Sequence, residues 1–189
     1  STKINIITNL IKNVNNIIIV GAMANNFLIF KGFKIGKSLI EKDSKKIIDN
    51  IYTEAKRHNC NIFIPEDCCV SIDFKGSGKI KELDSIGEDE IILDIGPKTV
   101  KKIENIIDQS STVFWNGPAG YFENPNFAFG SIQIAKKIIE NNKASKIFSV
   151  AGGGDTVSLL NNLNAVNEFN FVSTAGGAFL EYLEGKNLP

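Results

Sequence analysis

One pattern recurs along the sequence and narrows the fold sharply. A short, unbroken apolar run rich in β-branched residues gives way to small or turn-forming residues, and then usually to a helical stretch. Ile17–Val20 leads into Gly21-Ala22-Met23-Ala24 and a helical segment over 25–31. Asn61–Ile64 leads into Pro65-Glu66-Asp67. Ile91–Leu93 leads into Asp94-Ile95-Gly96-Pro97 and a helix over about 98–108. Thr112–Trp115 leads into Asn116-Gly117-Pro118-Ala119-Gly120. Lys146–Val150 leads into Ala151-Gly152-Gly153-Gly154-Asp155-Thr156 and a helix to about Leu163. Phe171-Val172 leads into Ser173-Thr174-Ala175-Gly176-Gly177 and a helix to Glu184. Continuous rather than alternating runs mean that both faces of each strand are buried. Intervening helices imply crossovers, so the sequence predicts an α/β fold with a mostly parallel sheet covered on both sides.

The helices carry the matching stripe. After Phe129, Ile132, Ala135, Ile138 and Ile139 fall at helical spacing, with Lys136, Lys137 and Glu140 expected to face outward. The polar stretch 73–90, which holds Gly76, Gly78 and Gly87, interrupts the pattern and reads as a surface hairpin or loop excursion within one domain. A length of 189 residues suits a single domain, and 43% hydrophobic with 22% charged residues argues against disorder. The 21 basic and 21 acidic residues cancel, which argues against an extended basic face for nucleic acid. No apolar run reaches the roughly 18 residues of a membrane-spanning helix. The opening Ser-Thr-Lys lacks Met and any signal-like region, and reads as the start of a fragment. Cys60, Cys68 and Cys69 form an odd set without framework spacing, which favours a reducing, cytoplasmic compartment. With His58 they lack the spacing of a zinc site.

A parallel sheet localises the site, because ligands of such sheets bind beyond the carboxyl ends of the strands. All six punctuations are expected there. Glycines let backbone N–H groups approach a ligand, and helix N-termini add positive potential. Several of these converging on one crevice describe a polyanion site, most simply for nucleotide phosphates. Gly152-Gly153-Gly154-Asp155-Thr156 is the strongest signal. It reads as a phosphate cradle with Asp155 toward Mg²⁺, or as a tight turn with Asp155 or Thr156 as helix N-cap. In Trp115–Glu123, Asn116 suits phosphate or ribose and Glu123 suits a ribose hydroxyl, against a rigid Gly-Pro turn beside a buried Trp. Ser173–Gly177 reads equally as a helix cap or a ligand loop. Lys3, on its own, reads as a solvated lysine.

Two look-alikes fail. Gly32-Phe33-Lys34-Ile35-Gly36-Lys37-Ser38 has three residues between its glycines where a P-loop needs four, and no strand precedes it. The dinucleotide fingerprint GxGxxG follows none of the strands, which weighs against an oxidoreductase's dinucleotide domain. The lone His58 has no nucleophile near it in sequence for a triad.

Gly36-Lys37-Ser38-Leu39, Ile64-Pro65-Glu66-Asp67, Leu93-Asp94-Ile95-Gly96-Pro97, Trp115-Asn116-Gly117-Pro118, Gly152 to Thr156, Ser173-Thr174 and Glu181 to Pro189 occur in one order across nearly the whole chain. In this set the chain resembles the C-terminal, nucleotide-binding domain of phosphoglycerate kinases, the bacterial type most of all. The resemblance implies a three-layer α/β/α Rossmann-like domain over residues 1–189, lacking its first strand. It implies a cytoplasmic, glycolytic, monomeric enzyme that moves a phosphoryl group between 1,3-bisphosphoglycerate and ADP with Mg²⁺. ATP or ADP is then the ligand of this part, and phosphoglycerate belongs to an N-terminal domain absent from this sequence. By position, Lys3 resembles a phosphate-contacting lysine, overturning its solvated reading. Gly21, Ala22 and Met23 resemble the loop against adenine, while Asn116 and Glu123 resemble phosphate and ribose contacts. Gly152, Gly153, Gly154 and Thr156 resemble the phosphate loop, with Gly153 and Gly154 donating near the transferring group and Asp155 touching the metal. Gly176 and Gly177 resemble the second helix N-terminus at the transfer point. Catalysis of this kind is mainly positioning and charge stabilisation.

The departures from the family pattern are Ala22 and Ala175, where the family carries glycines. A segment Gly-Gly-Ala-Lys, which supplies an inner strand, is expected before Ser1. Its absence predicts a gap in the sheet and no phosphoryl transfer by these 189 residues alone. A dinucleotide domain and a non-catalytic α/β module remain the competing readings.

Overall fold

The computed structural model describes residues 4–173. Lys3, Thr174, Ala175, Gly176, Gly177 and the segment Glu181–Pro189 lie outside the described residues. Helix α1 (Ile4–Leu10), extended by a 3-10 turn over Ile11–Asn13, feeds strand β1 (Asn16–Ile18). Helix α2 (Ala22–Phe30) follows at once, then α3 (Lys45–Arg57) and β2 (Asn61–Phe63). β1 and β2 pair in parallel, Asn16 opposite Asn61. β1 shows why its run is unbroken. Ile17 and Ile19 pack toward α1, α2 and α3, with Phe27, Ile48 and Ile51. Ile18 and Val20 pack into the opposite core, which holds Ile95, Trp115 and Ile138.

After β2 the chain departs from the expected crossover. Pro65-Glu66-Asp67 opens no helix; it enters β3 (Asp67–Ser71), which pairs antiparallel with β4 (Lys79–Glu82) and with β5 (Ile91–Ile95). The expected excursion over 73–90 is therefore a hairpin plus return strand, and one of the six punctuations, the one after Leu93, ends an antiparallel strand instead of a parallel one. Cys68 and Val70 make the difference. Each is fully buried, packing β3 against Leu28 and Leu83.

The parallel pattern then resumes. Helix α4 (Pro97–Asp108) leads to β6 (Thr112–Asn116), α5 (Phe129–Lys143), β7 (Phe148–Gly152), α6 (Gly154–Asn162) and β8 (Phe171–Ser173). β6, β7 and β8 are parallel neighbours in that order. Lys137 corrects the outward reading of its face. Its side chain is only 16% exposed, and its ammonium meets Asp108 at 2.8 Å, so the stem covers the α4–α5 seam.

Among the described residues, β1 pairs with β2 alone and β6 with β7 alone, and both strands line one cavity of about 1990 Å³. Ile103 and Ile107 of α4 and Ile134 and Ile138 of α5 also line it.

Candidate functional site

β6 and β7 bring two sequence motifs to one level, because Asn116 and Gly152 are register partners at the ends of their strands. Past that level the chains diverge into the loops that hold the glycines. Gly153 caps α6 with φ +93°, a conformation that favours glycine, and its carbonyl accepts the first helical bond from Val157 N at 3.0 Å. A β-carbon on Gly153 would lie 2.5 Å from Asn116 Oδ1, so the Asn116 amide rests directly on the glycine. The N–H groups of Gly154, Asp155 and Thr156 precede the first intrahelical bond and have no partner within the helix.

The capping alternative for Asp155 and Thr156 does not hold, since no side chain caps α6. Thr156 is fully buried, and its hydroxyl accepts from Gly117 N at 2.8 Å, tying the two loops together. Gly152 is buried at the end of β7, one residue before the exposed loop. Asp155 and Gly154 are exposed at the mouth.

The loop after β6 is pinned before it reaches Glu123. Trp115 Nε1 donates to Gly117 O at 2.9 Å, Ala119 N to Ser131 Oγ at 2.8 Å, Tyr121 N to Leu93 O at 2.7 Å, and Gly117 N to Thr156 Oγ1 as above. Gly120 has no room for a side chain; its β-carbon would meet Leu93 O at 2.4 Å and Asp94 Oδ1 at 2.6 Å. Glu123 emerges exposed. Across the cavity, Gly21 caps α2 at φ +65°, and its β-carbon would lie 3.1 Å from Pro118 O. The loop of Gly21, Ala22 and Met23 therefore approaches the Asn116–Gly120 loop.

One cavity is thus lined by Gly21, Ala22, Met23, Asn116, Glu123, Gly153, Gly154, Asp155 and Thr156. Sequence reasoning passed over two of its aromatics. Phe74, at the tip of the β3–β4 hairpin, and Tyr121 are both partly exposed, with ring centroids 5.0 Å apart and planes at 72°. Asn124 Nδ2 donates to Phe74 O at 2.9 Å and Asn126 Nδ2 to Gly76 O at 3.1 Å, which latches the hairpin to the Glu123 loop.

Two buried carboxylates frame the site, Asp94 on the cavity wall and Asp67 behind it. Asp94, 2% exposed, accepts from Gly130 N at the start of α5 and from Ile95 N, both at 2.8 Å. Burial pushes its carboxyl up to about 7, against the pull of those two donors toward the anion. Asp67 holds the start of α4, accepting from Lys98 N and Thr99 N. The thiols of Cys68 and Cys69 are pushed up to about 12 and about 11, first by burial, which makes them inert packing groups.

No cluster of three or more His, Cys, Asp or Glu exists among the described residues. The donor set still suits Mg²⁺ carried by a nucleotide. A hard cation of this kind is commonly held by one or two protein carboxylates, with phosphate oxygens and water completing its shell. Asp155 supplies such a carboxylate beside the exposed start of α6.

Comparison with known proteins agrees on one family. The sequence model of phosphoglycerate kinase matches residues 1–186. The chain is 44% identical to the phosphoglycerate kinase of Zymomonas mobilis over 191 aligned residues, covering 100% of this chain and 48% of that protein. It is 45% identical, at the same coverage, to the enzyme of Azorhizobium caulinodans. The solved phosphoglycerate kinase of Coxiella burnetii superposes with a TM-score of 0.92 at 36% identity, over 99% of this chain and 48% of that one. The enzyme of Pyrococcus horikoshii gives 0.78 at 27% identity. The chain spans about half the length of the relatives it matches.

Proposed function

The chain belongs to the phosphoglycerate kinase family, and from that premise we propose that it is the part that binds Mg-ADP or Mg-ATP for phosphoryl exchange with 1,3-bisphosphoglycerate. The observation that carries this reading is the convergence of Gly21–Met23, Asn116, Glu123 and the α6 N-terminus on one cavity. The N–H groups of Gly153 and Gly154 and the Asn116 amide face the transferring phosphate. Their role is to stabilise charge that shifts between oxygens, with little covalent chemistry for the protein to perform. They are already oriented by the Gly117–Thr156 tie and the β6–β7 register, so the site reorganises little as charge develops. Asp155 would hold Mg²⁺ carried by the nucleotide, which would supply neutralisation of phosphate charge. Glu123 accepts a ribose hydroxyl, and the loop of Gly21, Ala22 and Met23 lies against the base. Lys3 adds a phosphate contact, and Gly176 and Gly177 a second set of donors at the transfer point. The acceptor substrate is bound by a separate N-terminal region, as in a monomeric glycolytic enzyme of the cytoplasm.

Trp115, the sole tryptophan, sits one residue before Asn116 and reports on the site. Its emission should change on titration with MgADP, with MgATP competing and NADH without effect. Asp155→Ala should weaken MgADP by at least about tenfold. NADH competing as well as MgATP would favour a dinucleotide domain, and an Asp155→Ala chain that binds unchanged would favour a non-catalytic module. A coupled assay should find no turnover by the 189 residues alone.

A further inference from the structure

Asparagine is a chemically labile side chain, and a following glycine makes it more so, because the unhindered glycine nitrogen can reach the side-chain carbonyl. Of the 22 asparagines in the sequence, only Asn116 precedes a glycine. The pair closes β6, and Asn116 is exposed on the cavity wall. Gly117 has φ +106° and nothing within 4 Å of the place a β-carbon would occupy, so that side is open. Both groups that would react are nevertheless held by the start of α6. Gly117 N donates to Thr156 Oγ1 at 2.8 Å, and Thr156 is fully buried. Asn116 Oδ1 lies 2.5 Å from the place a β-carbon on Gly153 would take, so the side-chain amide is seated on that glycine. Trp115 Nε1 donates to Gly117 O at 2.9 Å and holds the far side of the same residue.

We infer that Asn116-Gly117 is a self-modification site, a deamidation centre that Thr156 and Gly153 keep closed while the start of α6 grips the β6 loop. In the reaction Gly117 N loses its proton and bonds to Asn116 Cγ. The Cγ–Nδ2 bond breaks, and Nδ2 leaves as ammonia with that proton. The cyclic imide then takes up one water, which is the sole co-reactant. Opening at Cγ gives aspartate, and opening at the backbone carbonyl gives isoaspartate, with the chain continuing through the side chain. Ring closure requires Gly117 N to give up its bond to Thr156 and the Asn116 side chain to turn off Gly153. Both restraints come from the first turn of one helix and the glycine that caps it, so the reaction reads out the loosening of that turn. The product carries a carboxylate where the amide stood. On the nucleotide reading above, that charge faces phosphate and weakens MgADP irreversibly. The modification itself does not depend on that reading.

The test is mass-spectrometric peptide mapping of the 189-residue chain during incubation at mildly alkaline pH, with circular dichroism following the fold and no nucleotide present. Conversion of Asn116 should be at least about tenfold slower in the folded chain than in guanidinium chloride. Thr156→Val keeps the side-chain shape and removes the acceptor. It should speed conversion in the folded chain by roughly tenfold, the scale of one lost hydrogen bond on a barrier, and leave the rate in guanidinium unchanged. Thr156→Ser restores the acceptor and should restore the slow rate. Gly153→Ala pushes the amide off its seat and should also speed conversion, which keeps the clamp testable if Thr156→Val fails to fold. Gly117→Ala should slow conversion in guanidinium, marking the glycine nitrogen as the attacking group. Equal rates for the parent chain folded and in guanidinium overturn the inference. Folded Thr156→Val and Gly153→Ala chains that convert at the parent rate overturn it too. So does conversion of other asparagines ahead of Asn116 in guanidinium.

Discussion

Replacing Asp67 with Ala should destabilise the chain severely, although the residue lies on a strand and touches no ligand. Helix α4 begins Gly96-Pro97-Lys98-Thr99. Pro97 has no N–H, so the first orphan donors of the helix are those of Lys98 and Thr99. No residue of α4's own cap satisfies them. The Asp67 carboxylate, delivered from β3, accepts Lys98 N at 2.9 Å, Thr99 N at 2.8 Å and Thr99 Oγ1 at 2.7 Å. It also sits at the positive end of the helix dipole. Asp67 and Thr99 are 2% and 3% exposed, so water cannot replace the lost acceptor. Leaving the buried Thr99 N–H unmade costs about 1–3 kcal/mol, and the part-buried Lys98 N–H with the helix-dipole interaction adds about 1–2 kcal/mol, which gives an expected loss of about 2–5 kcal/mol. That is a large share of the roughly 5–15 kcal/mol that holds a typical domain. At about 2–4 °C per kcal/mol for a chain of this size, the melting midpoint should drop by about 4–20 °C. Urea unfolding followed by far-UV circular dichroism reads the free energy, and a thermal scan reads the midpoint. Asp67→Asn keeps one acceptor and should fall in between. A loss below about 1 kcal/mol for Asp67→Ala would refute the capping argument.

Asp94 predicts a pH dependence. Its folded carboxyl is raised to about 7 by burial, while the unfolded chain titrates near 4. The folded state therefore holds a proton that the unfolded state releases. The stability from this group is full below about pH 4 and is lost as pH rises through about 7. Urea midpoints measured between pH 5 and 8 should fall across that window, and Asp94→Asn should flatten the slope; equal slopes would contradict the assignment. Gly153→Ala should cost about 1–2 kcal/mol through its φ of +93° and should also weaken MgADP, because the new methyl group displaces Asn116. Gly117→Ala carries similar strain, at φ +106°, with nothing within 4 Å of the added carbon. Equal MgADP affinities for these two variants would argue against Asn116 as a contact.

The βα units of the second half were legible because their cause is local. The runs ending at Trp115 and Val150 are uniformly apolar, and the glycines that follow stop them. The antiparallel sheet was not. Cys68 and Val70 alternate with residues of mixed character, and their strand status comes from pairing with Lys79 to Lys81 and Ile92 to Ile95. The framing carboxylates escaped notice for a similar reason. Asp67 serves a helix 31 residues away, and Asp94 serves Gly130 at a separation of 36. No short-range pattern marks such a cap. Phe74 and Tyr121 look like ordinary loop residues until the hairpin folds onto the Glu123 loop. Adjacency joins Gly152 to Gly153 and Gly154 in the sequence, but Gly152 is the last residue of β7, opposite Asn116, and the other two lie beyond the strand end at the cavity.

The proposed binding of a magnesium nucleotide in the cavity between β1, β6 and the α6 N-terminus is open to direct measurement. Isothermal titration calorimetry of the 189 residues with MgADP tests it most directly. Measurable heat with one site per chain is expected at up to millimolar ligand, lost in Asp155→Ala. No heat at millimolar MgADP, from a chain that circular dichroism shows to be folded, would contradict it.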